Sequence, residues 1–579
     1  MKRTLTLVLA VLLAMSMMFA ASADDLEMSD VANMTAPGVL PIVVEPTDLT
    51  ISIAQNALVT DYEDNYLTKY VEEQTGIHVV WDLLPSAETA TVLDLRLASG
   101  EKLSDIIAFD FGGSTASYGD QGYFLDINGW HEKYGYFFWN DAPGMEQSDY
   151  DAYFARSKEA DGAMYSYSFY TKGLGDRQKN APYINMLWLQ KLGLEKPTNL
   201  DELYDVLVAF RDNDMNGNGD TTDEFPMIAS LGVWNGYFDE TIINNFIYYN
   251  RDYMLDVEND VVFAPFVTEE WQNAMIYLNK LCTEGLLAPV SYTMTREEYA
   301  AMLEAQTLEA QNCGVIFGST AHIQVDKLNP YLLAYDYLDP FEGAYTPERT
   351  ANCTKFGHIT VDSEIPEIAF RYMDFFAQEK ISIWTRYGAP VSVYGDEAYM
   401  MWRADDPEAF DAIYPNPGQT AMNVGFEAHY GNNPYANAKD PWSNENNQIY
   451  NAHYFCLLPS ATYGGNGDKT PADQYLNDWQ SSWDNGDITV HTNYVNAYLK
   501  HHLNALPEQV FVDPVYTLEE KDMYNDTIST VQTYVKESIA GFVTGTMDPV
   551  NDWDNYVAQC DAAGLQDWLK IAQAYWDRK

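Results

Sequence analysis

Hydrophobic and polar positions alternate along the first part of the chain in a way that predicts strands and helices in turn. Strands are predicted over residues 49–54, 77–81 and 105–109, and helices over 66–75 and 89–99. In the first helix Leu67, Tyr70 and Val71 fall on one face, and Gly100 ends the second helix. This succession of strand, helix and strand predicts an α/β lobe.

Similar patterns continue through the rest of the chain. They predict helices over residues 199–210, 269–282, 297–309 and 367–376 and a short buried strand over 313–317. From about Tyr516 onwards the sequence is mostly helical, and Thr517 with Glu520 has the spacing of a capping box. No internal repeat or low-complexity segment interrupts this order.

The amino-terminal region has the composition of an export signal. Lys2 and Arg3 precede an apolar run, and Ala21-Ser22-Ala23 offers a small-residue cleavage site, so residues 1–23 are expected to be a signal peptide. Residues 24–46 are polar, contain proline and lack periodicity, which predicts a flexible leader. We therefore expect an exported protein of the extracellular medium, cell envelope or periplasm, without a membrane-spanning segment.

The cysteines and histidines exclude several classes of protein. The five cysteines are Cys282, Cys313, Cys353, Cys456 and Cys560. Their wide spacing fits neither a dense disulfide framework nor a zinc site, and none lies near the cleavage site to carry a lipid. The nine histidines include no His-Glu-x-x-His motif, which argues against a zinc enzyme.

Length and charge further limit the possible fold and the possible partners. The 579 residues exceed what a single hydrophobic core usually supports, so two lobes are expected. A formal charge of −54 repels nucleic acids and anionic lipid surfaces, and no nucleic-acid partner is expected. The aromatic content of 14% is suited to stacking against the C–H faces of sugars, although many of these rings will fill cores.

An oxygen-rich loop over residues 212–224 predicts a calcium site, since Ca²⁺ takes six to eight oxygen ligands. Two registers are open. In the first, the ligands and turn are Asp214, Asn216, Asn218, Gly219, the Asp220 carbonyl, Asp223 and Glu224. In the second, they are Asp212, Asp214, Asn216, Gly217 and Asp223. The alternative is a solvated surface turn. No nucleophile or base stands out here, so the ion is expected to be structural.

Asp110 is a candidate ligand-binding residue. It follows the strand predicted over 105–109 and precedes two glycines. Ligands of open α/β sheets lie beyond the carboxyl ends of the strands, which favours a role in a pocket. The alternative is that Asp110 simply forms a turn.

Several phrases taken together resemble one family. They are residues 70–78, 97–100 with 105–107, 188–194 with 197–198, 214–224, 277–281 with 284–287, 541–545 and 552–556. The chain resembles the extracellular solute-binding proteins of carbohydrate ABC transporters, in particular the larger calcium-containing branch that includes the alginate-binding proteins. The resemblance implies the first calcium register. Many relatives are lipoproteins, whereas this chain lacks the required cysteine.

The resemblance also implies a fold and a function. The fold is a two-lobed, periplasmic-binding-protein-like α/β fold (type II) with a helical C-terminal region. Lobe 1 would comprise residues 47–165 and 311–379, and lobe 2 would comprise 166–310 and 380–579. The protein would be the substrate-binding component of an ABC importer, a monomer without catalytic residues. It would capture an oligosaccharide or polysaccharide fragment by hinge closure and deliver it to a membrane permease.

Six aromatic residues are candidates for stacking on the sugar, because each lies near a predicted crossing or in a polar loop. They are Tyr165, Tyr167, Trp234, Trp384, Tyr387 and Trp442. The alternative for each is a ring that covers its own core. Two other functions stay open, namely a secreted glycoside hydrolase or polysaccharide lyase, and a carbohydrate-binding surface protein without a role in transport. No pair of carboxylates is marked as catalytic.

Overall fold

The computed structural model describes residues 26–56, 59, 61–64, 66–111, 114–142, 145, 147–171, 180, 182–233, 236–318, 334–347, 352–378, 381, 457–458, 506–512 and 514–578. The predicted signal peptide lies outside these ranges. Among the helices described, none combines the length and the apolar character needed to span a bilayer.

Strands and helices are labelled here in chain order. The strands are β1 (Thr47–Ala54), β2 (Ile77–Leu84), β3 (Ile106–Ala108), β4 (Tyr167–Thr171), β5 (Pro182–Asn185), β6 (Phe225–Ile228), β7 (Asp256–Glu258), β8 (Val261–Phe263), β9 (Cys313–Phe317), β10 (Tyr335–Tyr337), β11 (Asn352–Ile359) and β12 (Leu457–Leu458). The α-helices are α1 (Tyr66–Thr75), α2 (Thr89–Ser99), α3 (Thr115–Asp120), α4 (Trp130–Lys133), α5 (Phe137–Asn140), α6 (Gln147–Ser157), α7 (Met186–Leu192), α8 (Leu200–Asp212), α9 (Phe238–Ile243), α10 (Glu269–Thr283), α11 (Arg296–Glu304), α12 (Pro366–Phe375), α13 (Leu518–Thr544), α14 (Trp553–Ala562) and α15 (Leu565–Trp576).

The first sheet has six strands in the order β12-β4-β11-β3-β1-β2. β1 runs parallel to β2 and β3, whereas β11 runs antiparallel to both β3 and β4. Because β3 and β4 therefore point the same way, their carboxyl ends lie at one edge of the sheet with those of β1 and β2. Helices α1, α6 and α12 contribute Leu67, Tyr153 and Phe370 to the core beside this sheet, and burying each such side chain stabilises the fold by roughly 1.5–3 kcal/mol.

The second sheet has four strands in the order β10-β5-β9-β6. β9 is parallel to β6 and antiparallel to β5, and β5 is antiparallel to β10. Its core joins distant parts of the chain, because Trp271 of α10 packs in the same cluster as Ile539 of α13 and Trp568 of α15. The described residues thus form two main sheets with separate cores, and β7 pairs with β8 in a small third sheet.

Strand pairing differs from the expected division of the chain at four segments. β9 and β10 were expected in lobe 1 but pair within the second sheet, whereas β4 and β12 were expected in lobe 2 but lie in the first sheet. All five residues of β9 are buried, so its hydrophobic run carries no information about which sheet receives it. The other boundaries of the two lobes stay predictions.

The predicted flexible leader is wrong for residues 26–46, which pack on the first sheet's core. Met34 and Ile42 are fully buried. The buried guanidinium of Arg371, from α12, donates to the carbonyl oxygens of Thr35 at 2.8 Å and Val39 at 3.1 Å. The Ile42 amide also donates to the carbonyl oxygen of Thr75 at 2.8 Å, and a segment held by such single contacts shows no periodicity in the sequence.

Local capping signals behave as expected at α13. The Glu520 amide donates to the Thr517 hydroxyl at 3.3 Å, and the Thr517 amide donates to the Glu520 carboxylate at 2.8 Å, which confirms the predicted capping box. Gly545 ends this helix with φ of 80°. Helix α8 likewise begins at Asn199, whose side chain accepts from the Glu202 amide at 2.9 Å.

Candidate functional site

The oxygen-rich loop connects the end of α8 to the start of β6. Met215 anchors the loop because its side chain is buried in the second core. The Lys191 ammonium, from α7, donates to the carbonyl oxygens of Asp214 at 2.8 Å and Met215 at 3.0 Å. The loop is therefore held at its first turn by both packing and hydrogen bonds.

Asp214 organises this loop. Its Oδ1 accepts from the amides of Gly217 at 2.6 Å and Asn218 at 3.2 Å, and its Oδ2 accepts from the Gly219 amide at 2.8 Å. Gly217 and Gly219 have φ of 77° and 89°, a backbone conformation that favours glycine. Asp212, by contrast, accepts from the Arg211 Nε at 2.7 Å and makes no hydrogen bond to the backbone of the loop in the part of the chain that the structure describes.

The far end of the loop leaves two buried carboxylate oxygens without a donor. Asp223 Oδ2 accepts from the amide nitrogens of Asn216 at 3.1 Å and Asn218 at 2.7 Å, and Glu224 Oε1 accepts from the Met215 amide at 2.9 Å. Asp223 Oδ1 and Glu224 Oε2 have no hydrogen-bond partner among the described residues. Burial raises the pKa of Glu224, and the nearby Asp223 carboxylate adds to this shift.

The donor set of this loop suits a hard cation, because orphaned buried carboxylate oxygens need a positive partner. Asp220 turns its side chain to Thr222, whose amide and hydroxyl donate to Asp220 Oδ1 at 2.9 and 2.7 Å. Within the described ranges no group of three or more His, Cys, Asp or Glu side chains forms a metal site. Amide and carbonyl oxygens would therefore have to complete the shell.

Asp110 lies where the first sheet ends. It follows β3 at the carboxyl edge, and the preceding Phe109 donates its amide to the carbonyl of Phe356 on β11 at 3.0 Å. Phe111 comes next and meets Tyr118 of α3 edge-to-face, with ring centroids 5.1 Å apart. The edge thus combines an exposed carboxylate with half-buried aromatic rings.

Tyr165 packs beside Asp110's strand. Its ring lies so close to Gly119 of α3 that a Cβ at Gly119 would be 2.3 Å from a ring carbon. Burial raises the pKa of Tyr165. His358 of β11 links the two segments, since its ring nitrogens lie 2.8 Å from the Tyr165 carbonyl oxygen and 3.0 Å from that of Phe109. The structure therefore brings the segments of Asp110 and Tyr165 together.

Tyr167 is a core residue, and the prediction that its ring meets a ligand is wrong. The side chain has no exposed surface. Its ring stacks on His131 with centroids 5.0 Å apart and planes 25° apart, and its hydroxyl donates to Asp374 at 3.5 Å. Neighbouring strand positions alternate between faces, so Tyr167 was as well placed for the core as for a surface. Trp234, Trp384, Tyr387 and Trp442 lie outside the described residues.

Sequence reasoning missed three residues at this edge, namely Phe111, Tyr118 and His358. Phe111 had a usable signal, because it follows the predicted strand directly after Asp110. Tyr118 and His358 had none, since only the contact of α3 and β11 with that strand brings them there.

A small pocket lies beside the second sheet. Its lining includes Leu203, Met227, Ile242 and Val315, and it encloses about 50 Å³.

Comparisons with known proteins agree with this architecture. The model of the bacterial extracellular solute-binding protein family matches residues 56–351. The chain is 23% identical to the fructooligosaccharide ABC transporter substrate-binding protein FusA of Streptococcus pneumoniae, over 99% of this chain and 97% of FusA. The structure of FusA in complex with kestose covers 92% of this chain and 99% of that chain with a TM-score of 0.65 and 21% identity.

Two further solved structures share the fold. One is an HMO-binding solute-binding protein of Bifidobacterium longum infantis that is associated with an ABC transporter. Its TM-score is 0.66 at 17% identity, and the match covers 92% of this chain and 99% of that chain. The alginate-binding protein AlgQ2, solved without calcium ion, has a TM-score of 0.59 at 19% identity, with coverage of 92% and 99%. These similarities confirm the predicted two-lobed α/β fold.

Proposed function

Because the chain belongs to the bacterial extracellular solute-binding protein family, we propose that it is the substrate-binding component of an ABC importer and captures an oligosaccharide or polysaccharide fragment. The similarity to FusA, which extends over almost the full length of both chains, carries this proposal. FusA is a fructooligosaccharide-binding protein, and another relative in fold binds human milk oligosaccharides. Saccharides of several residues are therefore the favoured ligand class.

Hinge closure between the two sheets would trap the ligand. The chain leaves the first sheet after Thr171 and enters the second at Pro182, and it returns to the first at Asn352. We propose lobe 1 as the part up to residue 171 with 352–381, and lobe 2 as 182–347 with 506–578. A saccharide that touches both lobes binds the closed form better, so it shifts the equilibrium towards closure by that difference in affinity.

Asp110 and Tyr165 would contribute to saccharide binding from lobe 1. A carboxylate accepts hydrogen bonds from sugar hydroxyls, and a tyrosine ring stacks on the C–H face of a pyranose or furanose. Asp110 follows the carboxyl end of β3 and Tyr165 precedes the amino end of β4, and the contacts of His358 with both segments support these roles. Trp234, Trp384, Tyr387 and Trp442 stay candidates for further stacking contacts.

We also propose that the loop after α8 holds a structural Ca²⁺. The residues that would hold it are Asp214, Asn216, Asn218, Asp220 through its carbonyl, Asp223 and Glu224. The orphaned oxygens of Asp223 and Glu224 support this site, and the amide bonds to Asp214 favour the first register. The ion would supply the positive charge that these carboxylates lack, and would join the end of α8 to β6.

The protein is proposed to release its saccharide chemically unaltered to a membrane permease, and to act outside the cytoplasm as a monomer. Its relatives are transport proteins, which favours binding over hydrolysis. Neither the sequence nor the described residues single out a pair of carboxylates for glycosidase chemistry.

A binding screen tests this function. Purified protein is titrated calorimetrically with 1-kestose, nystose, human milk oligosaccharides and alginate oligosaccharides, and the recovered sugars are analysed by chromatography. We expect at least one saccharide to bind, to compact the protein in small-angle scattering, and to be recovered intact. New reducing ends would instead support a hydrolase, and binding without compaction would support a surface protein that only holds polysaccharide.

A further inference from the structure

His358 lies at the centre of the edge formed by β3, β4 and β11, although it is fully buried. Its Nδ1 is 2.8 Å from the carbonyl oxygen of Tyr165. Its Nε2 is 3.0 Å from the carbonyl oxygen of Phe109 and 3.1 Å from that of Lys355. One ring therefore faces carbonyl oxygens of three segments, and two of these segments carry proposed ligand contacts.

The chemistry of this arrangement depends on protonation. Carbonyl oxygens only accept hydrogen bonds, and a neutral imidazole has one N–H group. A neutral ring thus donates to the carbonyl oxygen of either Tyr165 or Phe109, whereas an imidazolium donates to both. Burial lowers the pKa of His358, while the carbonyl contacts and the Asp110 carboxylate act in the opposite direction. The second N–H is therefore gained on the acid side of the ordinary histidine range.

Neighbouring rings fix the orientation of the imidazole. Phe124 stacks on it with centroids 4.6 Å apart and planes 22° apart, and Phe111 meets it edge-on at 5.3 Å. Several titratable groups surround the ring, namely the Asp110 carboxylate, the phenols of Tyr165, Tyr118 and Tyr123, and the Lys355 ammonium, which pairs with Glu159. Four further carboxylates lie near these tyrosines, those of Asp94, Asp120, Asp126 and Asp161. With Phe124 and Phe111 against it, the ring cannot turn away from its carbonyl partners without losing these contacts.

We propose that His358 is a positioning residue for saccharide binding. His358 holds the carbonyl groups of Phe109 and Tyr165. It thereby fixes the position of the Asp110 carboxylate, one residue after Phe109, relative to the Tyr165 ring. His358 itself does not touch the ligand, because it has no exposed surface. The role in binding rests on the proposed function, whereas the role in holding the two segments does not.

His131 offers a matched control. It is also fully buried in the first lobe and stacks on a ring, that of Tyr167, with planes 25° apart. Its Nε2 faces the Tyr153 hydroxyl at 3.1 Å rather than a backbone carbonyl of the edge. His131→Phe and His358→Phe therefore cause a similar loss of a buried imidazole, but only the second removes the link between the two edge segments.

The first test needs no ligand. Hydrogen exchange followed by mass spectrometry is compared for the wild type, His358→Phe and His131→Phe, after circular dichroism has verified that each is folded. We expect faster exchange in peptides covering 109–111 and 165–167 in His358→Phe alone. Unchanged exchange at both segments, or the same increase in His131→Phe, would overturn the proposal.

The second test measures affinity for 1-kestose, or for whichever saccharide of the screen the wild type binds. We expect His358→Phe to weaken binding by about tenfold and His131→Phe to leave it within about twofold. His358→Gln retains a donor at the Nε2 side and should recover part of the loss. Below about pH 6.5 the wild-type affinity should change with pH while that of His358→Phe stays flat.

The two proposals fail in different ways. Identical affinities and pH profiles in the wild type and His358→Phe would refute the role of His358 in binding. A wild type that binds no saccharide would refute the proposed function, and the exchange experiment would still decide whether His358 holds the two segments together.

Discussion

Removing calcium should destabilise the second lobe by a measurable amount. In the described structure two buried oxygens, Asp223 Oδ1 and Glu224 Oε2, have no partner, and a buried polar group left in this state costs about 1–3 kcal/mol. An ion bound with a Kd a thousandfold below its free concentration adds about 4 kcal/mol to the free energy of unfolding. For a lobe of this size that corresponds to a Tm lower by roughly 8–16 °C in EDTA.

The two registers make different predictions for neighbouring aspartates. Asp214→Asn should abolish the rise in Tm that Ca²⁺ causes, because Asp214 is the carboxylate around which the loop amides are arranged. Asp212→Asn is the matched control, since Asp212 pairs with Arg211 and accepts no hydrogen bond from the described amides of the loop. It should retain the full response.

Differential scanning fluorimetry in EDTA, with Ca²⁺ or Mg²⁺ added back, measures these effects. Ca²⁺ should restore the Tm and Mg²⁺ should not, because a loop of this kind does not supply the compact octahedral shell that Mg²⁺ requires. An unchanged Tm in EDTA would refute the metal site. A response that is lost in Asp212→Asn as well as in Asp214→Asn would instead support the second register, in which both carboxylates are ligands.

Three other changes test separate parts of the structure. Gly119→Ala places a methyl group 2.3 Å from the Tyr165 ring, so it should displace that ring and weaken saccharide binding measured by calorimetry. An affinity equal to that of the wild type would show that Tyr165 does not contact the saccharide. Arg371→Met leaves the Thr35 carbonyl oxygen without its guanidinium donor and the Val39 carbonyl oxygen with only the Thr35 hydroxyl. Limited proteolysis should then cut residues 26–46 faster than in the wild type, and equal rates would contradict the docking role of Arg371. Burial raises the pKa of Asp256 to about 7, so the folded state binds a proton more tightly than the unfolded state and stability falls as pH rises from about 4 to above 7. Asp256→Asn should remove ~3 kcal/mol of that dependence between about pH 5 and pH 8 in urea unfolding, because this interval covers about two pH units below the folded pKa, and an unchanged slope would refute this cause.

Local patterns predicted much of the secondary structure. The helices at 66–75 and 89–99 were found at the same residues as α1 and α2, and the capping box at Thr517 begins α13. These features depend on contacts between residues a few positions apart, which the order of side chains specifies directly. Helix α11 is shorter than expected, Arg296–Glu304 rather than 297–309, since a helical pattern does not by itself specify where the chain turns away.

The arrangement of these elements required long-range contacts. β9 belongs to the second sheet because Cys313 pairs with Phe225 and Phe317 with Pro182, which its uniform hydrophobicity could not predict. Tyr165 and Tyr167 are two positions apart and equally aromatic, yet one is half-buried at the sheet edge and the other lies in the core. Which ring remains available for a ligand depends on Gly119 and His131, and both are distant in sequence.

The sequence by itself determined the periodicity of the helices and strands, the oxygen-rich loop with its two glycines, and the family resemblance, because each depends on residues close together in the chain. Only the tertiary structure decided which strands share a sheet, that residues 26–46 are packed, and that His358 meets the carbonyls of Tyr165 and Phe109 across 193 and 249 positions. The physical reason is that pairing partners and burial are set by the closure of long loops around a common core, a collective property of many residues that no short segment encodes.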